Sequence, residues 1–220
     1  MKNFFKTKTF YILTSILVVL IIALSGMKLL SARTYDPTNP RSKPNSYFLT
    51  YSVKVNLPVD QVFDFITYEK QSVWNRIARE HEGQKYQIIN SDGLTLGAVI
   101  LCEEFAEGEG VSHRYVVKDV IKNTLIHFAS EPSIVYMANK SGEMKEVTRC
   151  NTYVYYDMES LGAEKTKLTQ TLVIQMPNFV VKFLTDVIGG EGGEEIWVSH
   201  LEEELTGLVR FMVAENGQNT

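Results

Sequence analysis

From Tyr47 to Met176 apolar and polar residues alternate with a period of two, and from Glu194 to Val213 the period lengthens to that of a helix. The first alternation sets Tyr51, Val53, Val55 and Leu57 against Thr50, Ser52, Lys54 and Asn56, a strand with one buried face. Pro58 ends it and suits a helix's first turn, where the missing N–H has no partner to lose. Val59–Ile66 then places Val62, Phe63 and Ile66 on one helical face, and Gln71–Arg79 does the same with Val73, Trp74 and Ile77. Near the C-terminus Trp197, Leu201, Leu205, Leu208 and Met212 recur at steps of four, four, three and four, widened by Val198 and Val209. Ser199, Glu202, Glu203, Thr206 and Arg210 fall mostly on the other side. A helix with one broad apolar face needs a large apolar surface to lie on. The pattern predicts an α+β domain in which a curved antiparallel sheet of about seven strands holds one long C-terminal helix.

The remaining predicted strands are Lys85–Asn90, Thr95–Phe105, Val111–Ile121, Thr124–Ser130, Val147–Met158 and Lys165–Met176. Turn residues separate them at Ser91-Asp92-Gly93, Glu107–Gly110, Lys122-Asn123 and Ser160-Leu161-Gly162. Glu131–Glu146, with Pro132 and Gly142, carries no clear period. Phe179–Ile188 is apolar enough for a short helix. The four glycines among residues 189–193 then separate it from the long one, because such a run cannot sit inside a stable helix. No parallel strand or Lys-Ser/Thr accompanies the run, and Glu191, Glu194 and Glu195 would repel phosphate, so a flexible connection or a mobile gate is expected there.

Phe10–Met27 is a pattern of another kind, eighteen residues without a charge. At about 1.5 Å per residue a helix of that length approaches the roughly 30 Å of a bilayer core. A signal peptide cut after Ala23-Leu24-Ser25 competes with an uncleaved anchor, and the length favours the anchor. Leu24-Ser25-Gly26 resembles the start of a lipoprotein box, but Met27 stands where the lipidated cysteine would be. Lys2, Lys6 and Lys8 precede the run while Lys28, Arg33, Arg41 and Lys43 follow it, so positive-inside counting does not orient it. A first hydrophobic segment behind a short basic tail usually keeps its N-terminus in the cytoplasm, and the domain is therefore expected outside. Pro37, Pro40 and Pro44 among Ser, Thr and Asn mark an extended linker. The expected organisation is a basic tail and anchor over 1–30, a linker over 31–46, the domain over 47–214 and a tail over 215–220.

Charge divides along the same boundary. Residues 1–46 carry seven Lys/Arg against Asp36 alone, whereas residues 47–220 carry fifteen against twenty-five Asp/Glu. A domain that acidic repels phosphate backbones and argues against nucleic-acid binding, while the basic leader suits anionic headgroups. Cys102 and Cys150 are widely spaced with no CxxC, so two buried free thiols are expected rather than a zinc site or a disulfide framework.

The stretch YSVKVNLPVDQVFDFITYEKQSVWN adds a more specific signal. A strand ending in Pro58, a helix opening with Val62-Phe63 and a second helix opened by Trp74 resemble the start of the SRPBCC superfamily. This superfamily includes START lipid-transfer domains, birch-pollen-allergen-type proteins and the polyketide cyclase/dehydrase group. GLTLGAVI, with Gly97, resembles its glycine-containing third strand, and Lys118-Asp119-Val120 resembles its Glu-Val strand. The resemblance covers about Tyr47 to Val213 and leaves the N-terminal segment outside. It implies a helix-grip fold with an internal apolar cavity for a lipid, sterol, polyketide or similar molecule. It does not choose between carriage and catalysis.

Candidate chemistry is sparse. No HExxH or other tight His/Asp/Glu spacing links His81, His113, His127 and His200, so no catalytic residue, metal ligand or cofactor is nominated. His81, in a charged stretch, and His200, between Ser199 and Leu201, are expected at the surface. His127 is expected outside and His113 inside, with Tyr115 and Val117. Glu103-Glu104 is expected at an edge or surface. In the last strand Gln170 shares the inward face with Thr166, Leu168, Leu172, Ile174 and Met176, where a buried amide needs a partner. Tyr51, Trp74, His113, Tyr115, Tyr153 and Gln170 are therefore the candidate ligand-contacting residues, with core packing the plainer role of each aromatic. The expected function is a membrane-anchored binding or carrier domain for a hydrophobic small molecule or lipid. A cyclase/dehydrase-like enzyme and a membrane-tethered interaction module are the alternatives, and no protein partner is named by the sequence.

Overall fold

A computed structural model describes residues 45–216 except 82, 107 and 190–192. The predicted anchor and most of the linker lie outside the described residues. No helix among the described residues is long and apolar enough to cross a membrane.

Seven antiparallel strands form one sheet in the order β1-β7-β6-β5-β4-β3-β2. They are β1 (Ser46–Val55), β2 (Lys85–Ile88), β3 (Val99–Ala106), β4 (Glu109–Ile121), β5 (Leu125–Ala138), β6 (Met144–Gly162) and β7 (Lys165–Gln175). After β1 the chain makes α1 (Val59–Asp64), a π-helical turn (Phe65–Glu69), α2 (Lys70–Ile77) and a 3₁₀ turn (Arg79–His81). After β7 come α3 (Phe179–Gly189) and α4 (Gly193–Glu215), the predicted long helix.

Register shifts interrupt the β4–β5 ladder between Ser112 and Tyr115 and the β5–β6 ladder between Ser130 and Ser133. Such bulges bend a sheet and increase its twist, which lets this one curve around a helix. Pro132 lies within the second of them, where a strand tolerates a missing N–H, so the stretch without a clear period is the continuation of β5. Asn123 takes the left-handed conformation, φ 59°, that the tight turn at Lys122-Asn123 requires.

One core joins the concave face to the helices. From β7 it takes Leu168, Leu172 and Ile174, with Met176 just beyond the strand, from α4 Leu201, Leu205, Leu208 and Met212, and from α2 Val73, Trp74 and Ile77. The stripe predicted for the last helix is therefore the buried one, except that Trp197 is 38% exposed near its start. Gly207 is part of that stripe and lets α4 approach α2 closely. A Cβ there would lie 1.8 Å from the Ile77 carbonyl oxygen. Both cysteines are free and buried, as expected.

Candidate functional site

The inward face carries a charged cluster that the periodicity argument did not anticipate. The π-helical turn passes directly into α2, with the Lys70 N–H bonded back to the Phe65 carbonyl five residues earlier. Lys70 precedes Val73 and Trp74 by three and four residues, so it shares their inward face and is buried. On α4, Glu204 stands three residues after Leu201 and four before Leu208, also in the buried stripe. The two meet, with the Lys70 ammonium 3.0 Å from Glu204 Oε1.

Cross-strand neighbours complete the arrangement. Tyr51, Gln170 and Tyr156 stand side by side across β1, β7 and β6. Gln170 Nε2 donates to Glu204 Oε2 at 3.0 Å, and the Tyr156 hydroxyl donates to Glu204 Oε1 at 3.1 Å. Lys70 also donates to the Tyr156 oxygen, and its ammonium lies 4.4 Å from the Tyr156 ring centre and 5.7 Å from that of Tyr86. Tyr51 reaches the outer side of the helix and donates to Glu202 Oε1 at 3.0 Å. A carboxylate on α4 is thus tied to a helix and two strands at once.

Burial alone would raise the Glu204 carboxyl, but Lys70, then His81, His200 and the Gln170 bond, hold it below the usual carboxylate range. Burial, followed by the nearby Glu204 charge, pushes the Tyr156 phenol well above its ordinary value. A carboxylate that resists protonation and a phenol that resists ionisation are poorly matched to proton transfer near neutral pH. They are well matched to holding a polar group in place.

Towards the start of α4 a second group collects. His81 is fully buried, with its ring stacked on Trp74 at 3.7 Å and its Nδ1 3.0 Å from the Trp74 carbonyl oxygen. Trp74 stacks in turn on Tyr86 at 5.1 Å. Burial lowers the His81 pKa, opposed by the Glu204 and Glu104 charges. The His200 ring packs edge-on to His81 at 5.2 Å, and its Nε2 is 3.8 Å from Glu104 Oε2. Cys102 Sγ donates to the other oxygen of Glu104 at 3.1 Å.

These placements correct several expectations. His81 is not at the surface, because the 3₁₀ turn after α2 folds it back onto Trp74. The His200 side chain is only 13% exposed, and Glu104 follows the inward parity of Ile100 and Cys102. Tyr153 belongs to the opposite face of the sheet, packed with Ala129 and Val173 in a small separate cluster, so it does not join the interior site. The parity of β6 that turns Tyr156 inward turns Tyr153 and Tyr155 outward. Trp74 and Tyr115 are core residues, Tyr115 meeting Phe128 edge-on at 5.0 Å. Gln170 occupies the inward position expected of it, and its predicted need for a partner is met on one side by Glu204. His127, as expected, is on the outer side, stacked on Tyr155 at 4.2 Å.

His113 is buried beside the bulge, its Nδ1 2.6 Å from Ser133 Oγ and its ring stacked on Tyr115 at 4.7 Å. Burial pushes its pKa down to about 4, against a smaller opposing pull from Glu104. The unfolded chain binds this proton near the ordinary value of about 6.5, so falling pH favours unfolding. The stability His113 contributes is complete above about pH 6.5 and is lost progressively as pH falls through about 4. Between pH 7 and pH 5 the expected loss from this residue is about 2 kcal/mol. Urea unfolding at the two pH values checks it, because His113→Gln should remove most of that difference.

A cavity of about 420 Å³ opens to solvent between Tyr68, Gln71, Ser72, Ile88, Ser91 and Asp92, none of which belongs to the Lys70–Glu204 cluster.

No protein-family model matches the chain, and no curated protein matches it in sequence. Solved structures do resemble it. A hypothetical protein from Helicobacter pylori is 14% identical with a TM-score of 0.53, over 82% of this chain and 96% of its own. The major latex-like protein 151 of Panax ginseng is 11% identical with a TM-score of 0.51, over 77% and 99%. Ara h 8.0201 is 7% identical with a TM-score of 0.51, over 77% and 99%. At these identities the likeness is one of fold alone, and it supports a helix-grip architecture, an antiparallel sheet holding a long C-terminal helix.

Proposed function

We propose that the domain binds a hydrophobic small molecule or lipid between its concave sheet and α4, held beside the membrane by the segment around Phe10–Met27. One observation carries this reading. Tyr86 Oη and Gln170 Oε1 are buried polar atoms without a hydrogen-bond partner, both on the inward side beside Lys70 and Glu204. Buried polar groups left unpaired cost roughly 1–3 kcal/mol each, so an interior donor and an interior acceptor without partners suit a ligand with a hydroxyl or similar head. The apolar side chains of β7 and α4 would take the rest of such a molecule.

Phe183, Leu184 and Val187 on α3, with Trp197 near the start of α4, are exposed apolar side chains. Such a surface suits contact with lipid. The tether would hold it at high local concentration near a bilayer. The acid–base reading is weaker because of the directions in which Glu204 and Tyr156 are shifted.

Mass spectrometry of the full chain in mild detergent, under native and then denaturing conditions, tests the proposal. The expected result is a co-purified small molecule released on denaturation and retained roughly tenfold less well by Gln170→Leu. A chain that keeps its unliganded mass after incubation with a lipid extract would overturn the reading in favour of an interaction module.

A further inference from the structure

We propose that His81, Glu104 and His200 form a binding site for a divalent first-row transition metal ion, with zinc as the probe. One ligand atom from each residue lies within 4.8 Å of the other two. The three come from the 3₁₀ turn after α2, from β3 and from α4, so only the folded chain assembles them.

The orientation of His81 is already that of a ligand. A carbonyl oxygen can only accept, so the bond at 3.0 Å to Trp74 places the ring proton on Nδ1. Nε2 therefore keeps its lone pair, and it is buried without a hydrogen-bond partner. Metal-bound histidines commonly hold their second nitrogen against a carbonyl in this way, which fixes the tautomer and the ring. Here the Trp74 ring, parallel within 3°, fixes the plane as well.

Glu104 is held in a similar fashion. The Cys102 thiol donates to Oε1, which leaves Oε2 turned towards His200 Nε2 at 3.8 Å, too long for a hydrogen bond. Donors bound to zinc at about 2.0–2.1 Å stand roughly 3.4 Å apart, so separations of up to 4.8 Å have to contract by up to about 1.4 Å to close on an ion. Two imidazoles and one carboxylate select zinc or iron over calcium and magnesium, which prefer oxygen donors. Three protein donors leave a position open for water or another molecule. The site does not depend on the ligand-binding proposal, because none of its residues provides the unpaired atoms used there.

The test uses the full chain, without a polyhistidine tag, in a Trp197→Phe background so that Trp74 is the reporting indole. Zinc is titrated against a chromophoric chelator, and cobalt(II) is added separately as a spectroscopic substitute. One equivalent of zinc, visible cobalt absorption bands and quenching of Trp74 by cobalt are expected. Glu104→Gln and His200→Asn should each weaken zinc binding at least about tenfold with unchanged circular dichroism. His127→Asn, on the outer face, should leave it unchanged. Absence of saturable binding, or equal affinity in Glu104→Gln and His200→Asn, would overturn the site, as would loss of binding in His127→Asn.

Discussion

Glu204→Ala is expected to destabilise the domain by about 3–5 kcal/mol, the usual cost of removing one partner from a buried ion pair. The substitution takes away both carboxylate oxygens. One accepts from Lys70 and Tyr156, the other from Gln170. The Lys70 side chain, 4% exposed, would be left with the Tyr156 oxygen and ring faces as its remaining neighbours. An ammonium in that position is poorly solvated, and most of the loss comes from its stranding rather than from the missing contact. Replacing both partners at once, Lys70→Met with Glu204→Leu, should recover most of the stability or exceed the parent, because nothing charged then remains buried. Urea unfolding of the three proteins decides the matter. A single variant within about 1 kcal/mol of the parent would show that water reaches the pair.

Gly207→Ala is the second large effect, and it has a steric cause. The added Cβ would sit 1.8 Å from the oxygen and 2.6 Å from the carbon of the Ile77 carbonyl. Those are backbone atoms at the end of α2, so no rotamer change relieves the overlap. Elsewhere in a helix the same substitution would be favourable by up to about 1 kcal/mol, and here that gain has to be overcome first. The helices must move apart, with a net loss expected at the upper end of the roughly 1–3 kcal/mol typical of overpacking. A bulkier Gly207→Val should lose more. Thermal or urea unfolding reads both, and a variant as stable as the parent would mean that α2 and α4 do not cross at this residue.

Both results rest on residues that the linear pattern passes over. Lys70 lies in a polar stretch, Tyr-Glu-Lys-Gln-Ser, and Glu204 ends a run of three glutamates. Their spacing to Val73 and Trp74, and to Leu201 and Leu208, places them on apolar faces. A stripe count that scores only apolar residues cannot register a charge within the stripe. Reading those faces by position rather than by residue type would have identified both. Gln170 was legible because strand parity is unambiguous and its neighbours on that face are aliphatic. His81 and Glu104 were not, since their burial depends on a 3₁₀ turn folding back and on a helix from the far end of the chain covering them. Tyr153 is a candidate ligand contact on sequence grounds, but periodicity alone does not say which face of its strand is inward, and the sheet turns it outward together with Tyr155.

By itself the sequence determined the order of the elements, the antiparallel strands, the buried face of the last helix and the inward face of β7. These follow from local periodicities of two and 3.6, which any segment expresses without reference to its neighbours. Tertiary structure alone decided which polar residues meet. Lys70 and Glu204 are separated by 134 positions, and His81, Glu104 and His200 come from three different elements. Their pairing depends on the bulged curvature of the sheet and on the closeness of α4 to α2 that Gly207 permits. Electrostatic and coordination chemistry depends on distance in space, and only the packed chain sets those distances.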